Sequence, residues 1–109
     1  MSVPYAIYAD ERMVGFIMYD FEPKNGTGYI TRLMVDQKYQ GNGYGREALQ
    51  AVIGEISAIS ECRQIQISYN PRNAPAEKLY ASVGFVKTGE RAEDGEIICR
   101  RAPLERTDG

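Results

Sequence analysis

The apolar residues of this chain change period once, and the change falls on a run of glycines. Up to Val35 the apolar and β-branched residues come in short runs, at 5–9, 13–21 and 29–35, each closed by turn-forming residues. From Tyr44 onward Ala48, Leu49, Val52, Ile53 and Ile56 recur at helical spacing. Gly41, Gly43 and Gly45 stand between the two periods. Such a pattern calls for a strand, a tight glycine segment and an amphipathic helix, in that order.

The rest of the chain reads in the same way. Residues 10–12 are a polar turn, and 22–28 carry Pro23, Asn25-Gly26 and Gly28, the signals of a connection. The first three strands therefore form an antiparallel meander. The helix is expected over 43–57. Residues 64–69 alternate again, with Ile65, Ile67 and Tyr69 on one face, and Pro71 ends the strand. Asn73 can cap a second helix, with Pro75 tolerated in its first turn. That helix carries Ala76, Leu79, Tyr80 and Val83 and stops at Gly84. Residues 85–89 and 96–101 flank Glu93-Asp94-Gly95, a hairpin signal. The fold class is α/β (α+β), in the order β-β-β-α-β-α-β-β. With 109 residues, one domain is expected over 1–103, followed by a frayed polar tail at 104–109.

Composition narrows the chemistry. The net charge is −2, which argues against a nucleic-acid partner, because phosphates need a basic face. The chain has no His, which removes Ser-His-Asp and Cys-His catalysis and His-ligated zinc. Cys62 and Cys99 stand alone, so no metal site is expected. Catalysis here would use carboxylates, Tyr, Lys, Arg, backbone amides or water. No apolar run is long enough to span a membrane, and the first residues lack the blocks of a signal peptide. Two isolated cysteines then read as free thiols in a cytoplasmic protein.

The segment 40–45 (Gln-Gly-Asn-Gly-Tyr-Gly) carries the clearest chemical signal. Alternating glycines let backbone amides approach a ligand, and a helix N-terminus beyond them favours an anion such as pyrophosphate. The competing reading is a tight turn that needs positive φ and binds nothing. A P-loop is excluded, since no Gly-Lys-Ser/Thr follows. A Rossmann site is disfavoured, since no parallel βαβ unit is expected to start at this meander.

The wider pattern resembles the GNAT superfamily of acetyl-CoA-dependent N-acetyltransferases. Gln40-x-x-Gly43-x-Gly45 follows a strand ending Leu33-Met34-Val35, with Asn73, Tyr80 and Gly84-Phe85 further on. RLMVDQKYQGNGYGREAL and NPRNAPAEKLYASVGF, then TGE and DGE, are most similar to bacterial spermidine and diamine N-acetyltransferases. The resemblance implies that Gln40, Gly41, Asn42, Gly43, Tyr44, Gly45 and Arg46 wrap the pyrophosphate of acetyl-CoA. It implies that Met34 and Val35 offer backbone groups to the pantetheine arm and that Asn73 touches that arm, unless Asn73 is a helix cap only. Tyr80 would protonate the leaving thiolate, the alternative being a core aromatic. The acceptor would be a small-molecule amine, a polyamine or diamine, with no metal. The alternative function is a shortened module that binds acetyl-CoA with little or no catalysis.

Two departures from the family are visible. Polyamine enzymes often carry a carboxylate on the third strand, where this chain has Thr31-Arg32; Arg32 would repel a cationic amine if it faced the site, and either Asp20 or Glu22 is the nearest candidate base or water relays the proton. The family also places a strand and helices before the meander, and this sequence starts at the meander. Those elements are expected to be absent or supplied by a partner. Tyr5, Ile7, Tyr8, Phe16, Met18 and Tyr19 would then oversupply apolar surface, so a homodimer is expected.

Overall fold

A computed structural model describes residues 2–105. Its elements are β1 (Ser2–Ala9), β2 (Arg12–Glu22), β3 (Thr27–Val35), α1 (Tyr44–Ser57), β4 (Gln64–Tyr69), α2 (Ala74–Ser82), β5 (Val86–Arg91) and β6 (Ile97–Arg101), with one 3-10 turn at Gln37–Tyr39. The order is the one expected. The six strands form a single sheet in the order β1-β2-β3-β4-β6-β5.

One expectation is overturned. β3 and β4 pair in parallel, with α1 crossing between them, so a βαβ unit does start at the glycine segment. The antiparallel meander before it hid this, because strand direction is set by which strands become neighbours and not by local pattern. The β3–β4 ladder is short: it runs from Thr27↔Gln64 to Ile30↔Ile67 and ends there. In the β2–β3 ladder, Met18 pairs Arg32 while Tyr19 pairs Ile30, so Thr31 is an extra residue in β3. A bulge of this kind bends its strand and raises its twist. Beyond it β3 follows β2 while β4 follows β6, and the two strands part.

Both helices lie over one face of the sheet. α1 buries Leu49, Val52, Ile53 and Ile56, the stripe read from the sequence. Gly28 fits under it: a Cβ there would come 2.4 Å from Ile56 Cγ2. Gly28 was expected in the connection, yet it is a strand residue that admits close approach of α1. The turn glycine is Gly26, at φ +71°. Tyr69, on the same face of β4 as Ile65 and Ile67, packs edge-on against Tyr80 of α2 with ring centroids 5.9 Å apart. Of the six residues expected to oversupply apolar surface, Ile7 and Tyr19 are buried. The Tyr5 and Tyr19 hydroxyls both donate to the Glu55 carboxylate, tying β1 and β2 to α1. Tyr8 stays 59% exposed. In the tail, the Leu104 amide donates to Ser57 Oγ (2.9 Å), and 106–109 lie outside the described residues.

Candidate active site

The parting of β3 and β4 makes room for two hollows, one over the glycine segment and one toward β6. The first is about 560 Å³. It is lined by Val35, Gln40, Gly41, Gly43, Tyr44, Gly45, Arg46 and Asn73 from the expected binding set, and by Tyr80. Met34 lies apart from them, in the second hollow, and is 54% exposed. Asn42 lines neither hollow; its Nδ2 donates to the Tyr39 carbonyl (3.2 Å) and braces the loop. The Val35 carbonyl accepts from Gln40 Nε2 (3.0 Å), so Gln40 fastens the loop to the end of β3. Arg46 Nη2 donates to the Ser82 carbonyl (3.3 Å), joining α1 to the end of α2.

The glycine segment is the positive-φ turn that the second reading calls for. Gly41 and Gly43 have φ of +83° and +86°, a conformation that glycine adopts freely. Gly43 is also the N-cap of α1, and no side chain caps that helix. A Cβ on either glycine would meet nothing within 4 Å. The loop therefore holds open space beside uncapped helix amides, which fits a phosphate-bearing substrate.

Tyr80 is placed by local sequence. Gly84, at φ +94°, closes α2: its amide donates to the Ala81 carbonyl (3.1 Å), and the Phe85 amide to the Tyr80 carbonyl (3.1 Å). This Schellman closure brings the Phe85 ring onto Tyr80, with centroids 6.3 Å apart. The Tyr80 side chain is packed between Tyr69 and Phe85. Among the described residues nothing bonds its hydroxyl, and no buried side-chain polar atom lacks a partner, so that hydroxyl opens into the hollows. Burial, then the negative charges of Glu96 and Cys99, hold its pKa above the ordinary value near 10. Tyr80 is at once a core aromatic and a protonated phenol. Asn73 is also double: Oδ1 accepts from the Ala76 amide (3.1 Å), capping α2, and the residue lines both hollows.

The second hollow, about 480 Å³, opens between β3 and β4, with Glu96, just before β6, in its lining. Leu33, Asn73 and Tyr80 line it as well as the first, so the two spaces meet at Tyr80. Neither Asp20 nor Glu22 lines it. Arg32, Ser68 and Glu96 do, and the sequence reading gave the last two no role. Glu96 stands in the DGE motif, but nothing local says where its side chain ends up.

A parted mixed sheet, a glycine loop at a helix N-terminus and a tyrosine between two hollows make up the candidate site. Residues 2–85 match the Acetyltransferase (GNAT) family, and the chain belongs to that family. It is 34% identical over 101 residues to the spermine/spermidine N(1)-acetyltransferase of Bacillus subtilis (strain 168), covering 87% of this chain and 66% of the relative. The chain thus spans just under two thirds of that relative's length. Its fold matches the ribosomal-protein-S18-alanine N-acetyltransferase of Escherichia coli (TM-score 0.78, 21% identity, 98% of this chain and 72% of the other). It also matches the PaiA N-acetyltransferase of Thermoplasma acidophilum in complex with coenzyme A (TM-score 0.79, 16% identity, 93% of this chain and 60% of the other).

Proposed function

We propose that this chain transfers an acetyl group from acetyl-CoA to a primary amine, with a small polyamine or diamine as acceptor. The observation that carries the reading is the meeting of the two hollows at Tyr80. Acetyl-CoA enters along the glycine loop, with its pyrophosphate at the first amides of α1 and its pantetheine arm in the gap beside β3. The amine enters from the other hollow. A neutral amine nitrogen attacks the thioester carbon and forms the C–N bond. The nitrogen then loses its surplus proton to solvent. The C–S bond breaks, and the thiolate takes the Tyr80 proton, which solvent replaces. Backbone amides of the unpaired part of β3 are the candidate donors to the oxyanion. The polyamine class is supported by the 34% identity to the Bacillus enzyme.

A thiol-release assay over a panel of diamines, with acetyl-CoA saturating, tests this reading. Release that depends on amine is expected. No release from a chain that still binds coenzyme A in a calorimeter would favour the binding-only alternative. We also propose a homodimer and a cytoplasmic location. The first is supported by the free edge of β1 and by exposed Tyr8, Met13 and Met34.

A further inference from the structure

The hollow toward β6 holds two charges that the transfer chemistry leaves unused, Arg32 on β3 and Glu96 just before β6. Glu96 is held firmly. Its amide donates to Asp94 Oδ1 (3.0 Å), and its carbonyl accepts from the Ala92 amide (2.9 Å). Ser68 Oγ donates to Glu96 Oε1 at 2.7 Å. Among the described residues Ser68 is the one side chain bonded to this carboxylate, which leaves Oε2 for a ligand. The charge is felt at the reacting end of the hollow, since Glu96 is, after burial, the next cause of the raised Tyr80 pKa.

A carboxylate in this place has two conceivable jobs, and elementary acid–base chemistry separates them. A primary ammonium has a pKa near 10, about six pH units above that of a glutamate. A carboxylate touching the reacting nitrogen stabilises its protonated form and can help only by taking that proton as a base, so its loss would lower kcat with any amine. A carboxylate touching a different nitrogen carries no such cost. Arg32 works in the complementary sense. A cation on the β3 side disfavours an ammonium there, so the hollow carries a positive charge at Arg32 and a negative one at Glu96.

The geometry points to Glu96 as the residue that selects an acceptor bearing a second ammonium, holding that charged end on Oε2 while the other, neutral amine meets the thioester at Tyr80. This rests on the acetyl-transfer reading above and sharpens it. The acceptor is a molecule with two amines on a flexible apolar chain. A monoamine of equal length leaves the Glu96 carboxylate without its partner and loses the binding energy of a charge-assisted hydrogen bond.

Steady-state kinetics with 1,4-diaminobutane and n-butylamine, at saturating acetyl-CoA, test the assignment. For the unaltered chain, kcat/KM for the diamine should exceed that for the monoamine by about tenfold to a hundredfold, the worth of one charged hydrogen bond. Glu96→Gln should collapse that ratio through the diamine KM, with kcat for the diamine little changed. Glu96→Asp should restore part of the ratio. Ser68→Ala, which frees the carboxylate without removing its charge, should lower it less than Glu96→Gln. A ratio unchanged by Glu96→Gln overturns the assignment. So does an equal loss of kcat with both amines, because Glu96 would then act on the reacting nitrogen. If the unaltered chain acetylates both amines equally well, the assignment fails and the transfer reading stands. If it releases no thiol with either amine, the transfer reading itself fails.

Discussion

Replacing Gly43 by Val separates an anion-binding loop from a mere turn. Gly43 sits at φ +86°, and a Cβ there meets no heavy atom within 4 Å, so the change creates no clash inside the protein. The penalty is conformational, about 1–2 kcal/mol for an L-residue held in the left-handed region. Against a domain stability of about 5–15 kcal/mol, the variant stays folded. Its melting temperature should fall by about 4–16 °C. Binding should suffer more. Either the isopropyl group stands over the uncapped amides of α1, or the loop relaxes and turns those amides away. Each charged hydrogen bond lost costs about 1.5–3 kcal/mol, or roughly tenfold to a hundredfold in Kd. Isothermal titration with coenzyme A reads this directly. Gly54→Ala serves as the control: it lies within α1, its Cβ meets open space, and it should gain about 1 kcal/mol of helix propensity without changing Kd. A folded Gly43→Val chain that binds coenzyme A as tightly as the unaltered one would refute the loop as the pyrophosphate site.

Four further outcomes follow from the structure. Tyr80→Phe keeps the packing against Tyr69 and Phe85 but removes the proton, so turnover should drop by about 10²–10⁴-fold with the acetyl-CoA Kd little changed; a drop under twofold would make Tyr80 a core residue only. Because the Tyr80 pKa is raised, the proton donor survives into alkaline solution, and turnover should show no loss from its ionisation below pH about 10. Gly28→Ala drives a methyl into Ile56 and should cost about 1–3 kcal/mol in a denaturant melt, whereas an unchanged midpoint would mean that α1 can lift off the sheet freely. Light scattering at micromolar concentration should report twice the 12.2 kDa chain mass, and a stable single-chain mass would sink the homodimer.

The order of elements was legible in the sequence because it follows from short-range physics. A period of two in 64–69, a period of 3.6 from Tyr44 and a glycine after α2 each act within a few residues. The glycine loop and Tyr80 were legible for the same reason. The loop's positive φ and the Schellman closure that turns Phe85 onto Tyr80 are local devices. The cap made by Asn73 is another.

What needed the tertiary structure were the relations between distant segments. Gly28 reads as a turn residue until Ile56 is placed over it. The parallel pairing of β3 with β4 depends on which strand α1 returns beside, and the gap between them on one extra residue, Thr31, in a ladder with β2. Glu96 and Ser68 are 28 residues apart, and only the β4–β6 pairing, in which Tyr69 lies opposite Ile97, sets them side by side in the second hollow. A sequence states each strand's own periodicity, but strand order and register are fixed by the packing of the whole sheet, and the second hollow is made of register.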